Sequence, residues 1–223
     1  MCNDAAREMG KKSKAARGGA ARRAPSAASP DTLLADGRAL HAHAMMACAE
    51  GKVARLRELL AMLSFEGVQE LLFCADWAEE TSLLKMASGQ GHLEVVKLLV
   101  ACGANPNDDG ADDDDPDPES TRKAPLHMAA ACGHTDVVRW LVREGGADAR
   151  QLDRNGCNAY HLGCVQGHTD VVRFMVEEVG LDVNEKEMFG GTGLGWAMKR
   201  GHTELAQWLC EHGARLGVGD ATR

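Results

Sequence analysis

Between residues 124 and 147 the chain reads APLHMAAACGHTDVVRWLVREGGA, and its apolar positions follow two short helical periods separated by a break. Pro125 opens the first, because proline at a first helical position loses only an N–H that would be orphaned anyway. Ala129, Ala130 and Ala131 keep that helix narrow, and Gly133 ends it by taking the left-handed conformation that closes the last carbonyls. Thr135 and Asp136 are read as the start of the second helix, offering a side-chain oxygen and negative charge to its N–H end. Val137, Val138, Leu141 and Val142 then fall at i, i+1, i+4 and i+5, a stripe that requires a partner surface. One such unit is too small to bury its own stripe.

Copies of the unit supply that surface. Gly-His pairs stand at Gly91-His92, Gly133-His134, Gly167-His168 and Gly201-His202, spaced by 42, 34 and 34 residues. A period near 33 residues with an excess in one connection reads as a solenoid carrying an insertion. The second helices agree: LEVVKLLV, TDVVRWLV, TDVVRFMV and TELAQWLC, each followed by a turn at Gly103, Gly146, Gly180 or Gly213. A fifth, degenerate copy is read over 39–67, where Ala47-Cys48 and Gly51-Lys52 precede Val53, Leu56, Leu59 and Leu60.

These residues resemble the ankyrin repeat, whose opening is Thr-Pro-Leu-His and whose second half is similar to Gly-His-Leu-Glu-Val-Val-Lys-Leu-Leu followed by Gly-Ala. The resemblance covers residues 82 to about 216. It implies an all-α solenoid of stacked helix-turn-helix units joined by finger turns. The openings Ser82-Leu83-Leu84-Lys85 and Thr192-Gly193-Leu194-Gly195 lack the histidine that Ala124-Pro125-Leu126-His127 and Asn158-Ala159-Tyr160-His161 retain, so the family's Thr/His hydrogen bonding is not expected in the first and last of the four.

The organisation read from the 223 residues is a disordered basic tail over 1–30, then 31–81 with the degenerate repeat and an extra capping helix near 66–75. Repeats follow at 82–107, 122–153, 154–186 and 187–216, with an acidic disordered insertion at 108–121 and a tail at 217–223. The first tail carries seven Lys or Arg and almost no bulky apolar residue, so ordering it would not be compensated by burial. Asp108 to Ser120 holds seven Asp and one Glu, a density that keeps a segment extended. The apolar residues of the extra helix region, Val68, Leu71, Leu72, Phe73 and Trp77, are read as a cover for the N-terminal end of the stack.

Eight cysteines are read as reduced, packed thiols, because Cys48 and Cys164 replace core alanines and Cys210 a valine of the stripe. This reading expects an intracellular, cytoplasmic or nuclear monomer with no membrane span. Other chemistry is weak. Asn105, Asn107, Asp109 and Gly110 imitate the start of a calcium loop, but the required twelfth-position carboxylate falls on Pro116. Gly190 to Gly195 imitates a phosphate loop, yet Trp196 stands where the last glycine is needed. Cys157, His161 and Cys164 sit close in sequence but lack convergent ligand spacing. No nucleophile elbow is present. The chain is therefore expected to be non-catalytic, with no cofactor and no metal.

The residue after the opening motif of each copy is Met46, Met86, Met128, Leu162 and Trp196, an apolar column. The resemblance implies a protein partner bound along the concave face and fingers, and that column, with Arg154, Asn155, Met188 and Phe189 on the fingers, is the candidate partner-binding set. A competing reading is a half-buried core column. A second function class is a nuclear or nucleic-acid-associated factor using the basic arm, though nucleic acid is the less favoured partner.

Overall fold

The computed structural model describes residues 37–73, 82–109 and 123–221. The basic tail, Trp77 and residues 110–121 of the acidic insertion lie outside the described residues. Arg38–Arg223 forms one unit by internal contacts. Ten of its eleven described helices come in pairs, and a left-handed glycine follows the first helix of each pair. The helices are α1 (Gly37–Ala49), α2 (Val53–Ala61), α3 (Phe65–Phe73), α4 (Leu83–Gln90), α5 (Leu93–Ala101), α6 (Pro125–Cys132), α7 (Thr135–Arg143), α8 (Ala159–Gln166), α9 (Thr169–Arg173), α10 (Gly193–Arg200) and α11 (Thr203–Glu211). The inner helices α4, α6, α8 and α10 stack in order, and the outer helices α2, α5, α7 and α9 stack behind them. The expected all-α repeat architecture is present, with one isolated bridge, Lys186 to Thr192, in a finger.

The Gly-His pair recurs for a geometric reason. Gly133 has φ +77°, and a Cβ there would lie 2.5 Å from Nδ1 of His168 in the next repeat. The imidazole is thus pressed against the previous repeat's turn, where only glycine fits. Its Nε2–H donates to a carbonyl of the inner helix behind it: His92 to Ala49 (3.0 Å), His134 to Gly89, His168 to Ala131 and His202 to Val165 (3.1 Å each). Each histidine therefore staples one repeat to its predecessor. These same histidines are the residues preceding the outer helices, and none caps with its side chain. Thr135 is itself helical, so the threonine cap expected from the sequence is not made; a backbone turn takes its place.

The core runs between the two helix layers. Val95, Val96, Leu99, Val137, Val138, Leu141, Val171, Val172, Leu205 and Leu209 are buried from the outer side, and Ala47, Ala87, Ala129 and Ala197 from the inner. Gly163 takes the alanine place in α8, and a Cβ there would stand 3.1 Å from Val172, so the valine of α9 occupies the room a larger residue would need. Cys48 and Cys164 are fully buried, as their register predicts, but Cys210 is exposed. Its counterparts Val100, Val142 and Val176 are only half-buried, so the last position of the stripe lies at the edge of the core.

Two outer helices carry one more residue than the others, and a wide turn absorbs it. Twelve positions separate His134 from Gly146 and His168 from Gly180, against eleven from His92 to Gly103. In the longer pair a backbone N–H reaches back five residues, Gly145 to Trp140 (2.9 Å) and Val179 to Phe174 (3.1 Å), the latter in a π turn over Phe174–Glu178. A single-residue insertion in a helix commonly takes this form. Register is restored immediately, with Ala147 N–H on the Leu141 carbonyl and Leu181 N–H on that of Met175.

Helix α3 spans Phe65–Phe73, and Leu71 and Leu72 are buried. Its Gln69 Nε2 donates to the Cys102 carbonyl at 3.3 Å, which seats it against the turn that follows α5. From residue 217 the chain turns back on the last repeat as a 3-10 turn, Val218–Ala221. Asp220 lies on the N-terminus of α10: it accepts from Thr192 N–H (3.0 Å), Thr192 Oγ1 (2.7 Å) and Gly217 N–H (2.6 Å).

Candidate functional site

The inner-helix column is built by the helical period itself. In α6 the flanks Leu126, His127, Ala129 and Ala130 are buried while Met128 is half-exposed, so Met128 looks away from the outer layer. Met86, Leu162 and Trp196 hold the same half-exposed place in α4, α8 and α10, and Met46 in α1 is 44% exposed. The column is continuous: a Cβ added at Gly89 would be 3.5 Å from the Met128 methyl, so this thioether lies over the neighbouring helix. One turn further along each helix stand Ala49, Gly89, Ala131, Val165 and Lys199, then Glu50, Gln90, Cys132, Gln166 and Arg200, which share the face.

The fingers are held by buried carboxylates. Asp153 Oδ1 accepts from Asn155 N–H and Cys157 N–H (2.9 Å each), which closes the turn around Arg154 and Asn155. Glu187 does the same one repeat later, taking Phe189 N–H (2.8 Å) and Gly191 N–H (3.0 Å). Met188 N–H donates to the Asn155 carbonyl at 3.3 Å, so the two fingers touch. Gly156 makes that contact possible, since at φ +70° a Cβ would sit 2.7 Å from the Met188 nitrogen. Met188 and Phe189 remain 65% and 53% exposed, and Leu152 on the preceding finger is 55% exposed. The structure thus brings Arg154, Asn155, Met188 and Phe189 together on adjacent fingers, and Met86, Met128, Leu162 and Trp196 on adjacent helices.

The opening histidines tie these two sets to one another. His127 Nδ1 accepts from Ala124 N–H (3.1 Å), which leaves the proton on Nε2, and Nε2–H donates to the Gln151 carbonyl at the base of the next finger (3.0 Å). His161 Nε2–H likewise donates to the Glu185 carbonyl (3.0 Å), while Asn158 Oδ1 accepts from His161 N–H (3.1 Å). Burial of both imidazoles lowers their pKa by penalising the charged form. The last repeat has no such histidine, and the 3-10 turn replaces it. A Cβ on Gly195 would fall within 2.6 Å of Asp220 Oδ2 and nearer still to its other carboxylate atoms, so the carboxylate fills the space an imidazole would take. It also receives the Thr192 N–H, the equivalent of the Ala124 N–H held by His127. Thr192 Oγ1 caps α10 by accepting from Gly195 N–H (3.3 Å). In the first well-formed repeat Ser82 Oγ caps α4 at Lys85 N–H, and Lys85 is buried in the histidine place.

Other candidates resolve into structure. Asn107, one of the calcium-like positions, bridges to the next repeat: its Nδ2 donates to Gly146 O (3.1 Å) and its Oδ1 accepts from Asp148 N–H (2.7 Å). Asn184 repeats the bridge to Gly213 and Arg215. The thiols of Cys157 and Cys164 are pushed up to about 12 by burial, which keeps them protonated, and Tyr160 Oη donates to the Val183 carbonyl at 2.8 Å. Among the described residues no three His, Cys, Asp or Glu side chains converge as a metal site would require. Among them, too, no helix is long and apolar enough to cross a membrane.

Sequence reasoning missed the cations on the C-terminal half of this face. Lys199 Nζ lies 5.3 Å from the Trp196 ring centroid, and Lys199 and Arg200 are both exposed. Their helical spacing from Trp196 was visible, but which face of α10 is open was not.

Family comparisons agree with this geometry. A model described as ankyrin repeats (3 copies) matches residues 109–187, and one described as ankyrin repeat matches 79–111. Two human proteins are similar: ankyrin repeat domain-containing protein SOWAHD, 35% identical over 117 residues that make up 52% of this chain and 35% of that protein, and ankyrin repeat domain-containing protein 63, 38% identical over 32% of this chain and 16% of that one. The FYVE zinc finger domain protein UPA1 of Mycosarcoma maydis is 47% identical over 47 residues, 21% of this chain and 4% of the other. The chain thus spans about a third or less of the length of the relatives it matches. With stacked helix pairs, stapling Gly-His turns and these matches in agreement, the chain belongs to the ankyrin-repeat family.

Proposed function

We propose that the protein is a non-catalytic interaction module that binds an extended segment of a partner protein across the column Met46, Met86, Met128, Leu162 and Trp196 and the fingers bearing Arg154, Asn155, Met188 and Phe189. Ankyrin repeats are in general protein–protein interaction modules, and the finer assignment rests on one observation. The column stays half-exposed on four stacked helices while the residue beside it in each, Ala87, Ala129, Gly163 or Ala197, is buried. A line of adaptable apolar side chains facing away from the core suits an extended ligand.

The test compares tryptophans. Trp196→Ala removes a groove-facing ring and is expected to weaken capture of a partner by about 2 kcal/mol or more, the loss typical of a central anchor. Phe189→Ala acts in the same direction. Trp140→Ala, on outer helix α7 where the indole donates to Glu144 at 3.0 Å, leaves capture intact. Equal capture by Trp196→Ala and wild type, each confirmed folded at the assay temperature, would place the binding face elsewhere.

A further inference from the structure

The groove is not uniform along its length. Its middle is apolar or neutral: Met86, Gly89, Gln90, Met128, Ala131, Cys132, Leu162, Val165 and Gln166 carry no charge. Its C-terminal end carries exposed cations, Lys199 and Arg200, one turn from Trp196. The acidic residues near this end are held by the fold, although Glu187 and Asp220 line the same concavity as Trp196 and Lys199. Glu187 is buried on finger amides, Asp220 holds Thr192 and Gly217, and Glu185 accepts from Asn158 Nδ2 at 2.7 Å. At the opposite end Glu50 is matched by Lys52 at 2.7 Å. In a chain of net charge −8, two exposed cations thus stand next to each other at one end of the groove.

We infer that the groove takes an extended peptide segment with apolar residues in its middle and a cluster of carboxylates at the end that lies over α10. This deepens the reading given under Proposed function and rests on it. Neighbouring packed helices stand about 8–10 Å apart, so the five column residues span about 32–40 Å, and a segment in the extended polyproline II form, with three residues per turn and about 3.1 Å rise per residue, covers that distance with about twelve residues. An apolar side chain at every third residue then meets each column position in turn. Carboxylates at one end meet Lys199 and Arg200. The complementarity fixes the direction in which the segment lies, since the reverse orientation would carry its acids away from Lys199 and Arg200.

The experiment is a fluorescence-anisotropy titration of the full chain with a labelled peptide of about twelve residues. The peptide carries leucine at every third position and three glutamates at one end, and it is compared with versions bearing glutamine or lysine in their place. At low salt the glutamate peptide is expected to bind about tenfold more tightly than the glutamine one, with the lysine peptide weakest, and the gap closes at about 0.5 M salt as screening sets in. The double substitution Lys199→Glu with Arg200→Glu reverses the order. Lysine binding as tightly as glutamate, an unchanged order in the double variant, or no saturation by any peptide below about 1 mM overturns the proposal. Met128→Ala with Leu162→Ala, checked for native helicity, separates this from the groove reading. Weakening of all three peptides without a charge order sinks the acidic preference and leaves the groove standing. Binding that ignores Met128 and Leu162 sinks the groove itself.

Discussion

At His127 one proton decides two hydrogen bonds. Nδ1 accepts from the Ala124 amide and Nε2–H donates to Gln151, an arrangement that only the neutral Nε2–H tautomer supports. Burial lowers the pKa of His127, His161 and His168 from the ordinary 6.5, so the folded state binds protons less readily than the unfolded chain. Their contribution to stability is complete above about pH 6.5 and is lost as pH falls from there through the folded values. A melting temperature that declines between pH 7 and 5 is expected, with a shallower decline in His127→Gln whatever its absolute value; identical pH slopes would remove His127 from the account. The glycine of the Gly-His pair is a second residue-scale test. Gly133→Ala places a methyl at positive φ and against the His168 ring, and is expected to lower stability by about 1–3 kcal/mol in urea unfolding.

At the scale of the element, helix α7 and the C-terminal turn behave differently. Leu141 is fully buried between the layers, so Leu141→Ala is expected to cost about 2–5 kcal/mol in chemical denaturation, the loss for a buried leucine that leaves a cavity. The turn Val218–Ala221 is tied to the last repeat through the Asp220 carboxylate. Asp220→Ala strands the Thr192 amide, leaves its hydroxyl only the Arg215 carbonyl, and opens the space above Gly195. Such a loss of a charged acceptor is expected to lower stability by about 1–3 kcal/mol. Gly195→His would bring in the residue other repeats use, but only where Asp220 is also removed, because the carboxylate already fills that volume. In the Asp220→Ala background Gly195→His should therefore recover melting temperature, and in the wild-type background it should lower it.

Across the whole molecule, each repeat touches chiefly its neighbours, so damage at one end stays local. Hydrogen exchange is the measurement that shows it. In Asp220→Ala, amides of α10 and α11 are expected to exchange faster while those of α6 and α7 keep wild-type protection. Uniform acceleration through all repeats would mean that the stack opens as a single unit instead. The same chain of nearest neighbours bears on the groove: its column is continuous only while α4, α6, α8 and α10 remain in register, a register held by His134, His168 and His202 on the helices behind them. Groove and staples are coupled by construction.

What could be read from the amino-acid order was whatever repeats with a local physical cause. Glycine at a positive-φ turn, the valine and leucine stripe of each outer helix and the small residues of each inner helix all answer to contacts within a repeat or with an identical neighbour, so the period itself carries them. The candidate column Met86, Met128, Leu162 and Trp196 was legible for the same reason, as one position per period. Side chains from a non-repeating segment were not. Nothing in Val218-Gly219-Asp220-Ala221 announces that its carboxylate stands in for a histidine; that follows only once Gly195 leaves a space in three dimensions and the chain returns within reach of it. Cys210 shared the stripe of its helix yet fell outside the core, since the boundary of burial is set by the neighbouring layer and not by the helix's own period. The exposure of Lys199 and Arg200 on the Trp196 side of α10 was decided in the same way, by which face of that helix the stack leaves open, while Glu187 on the adjoining finger turned inward to hold backbone amides.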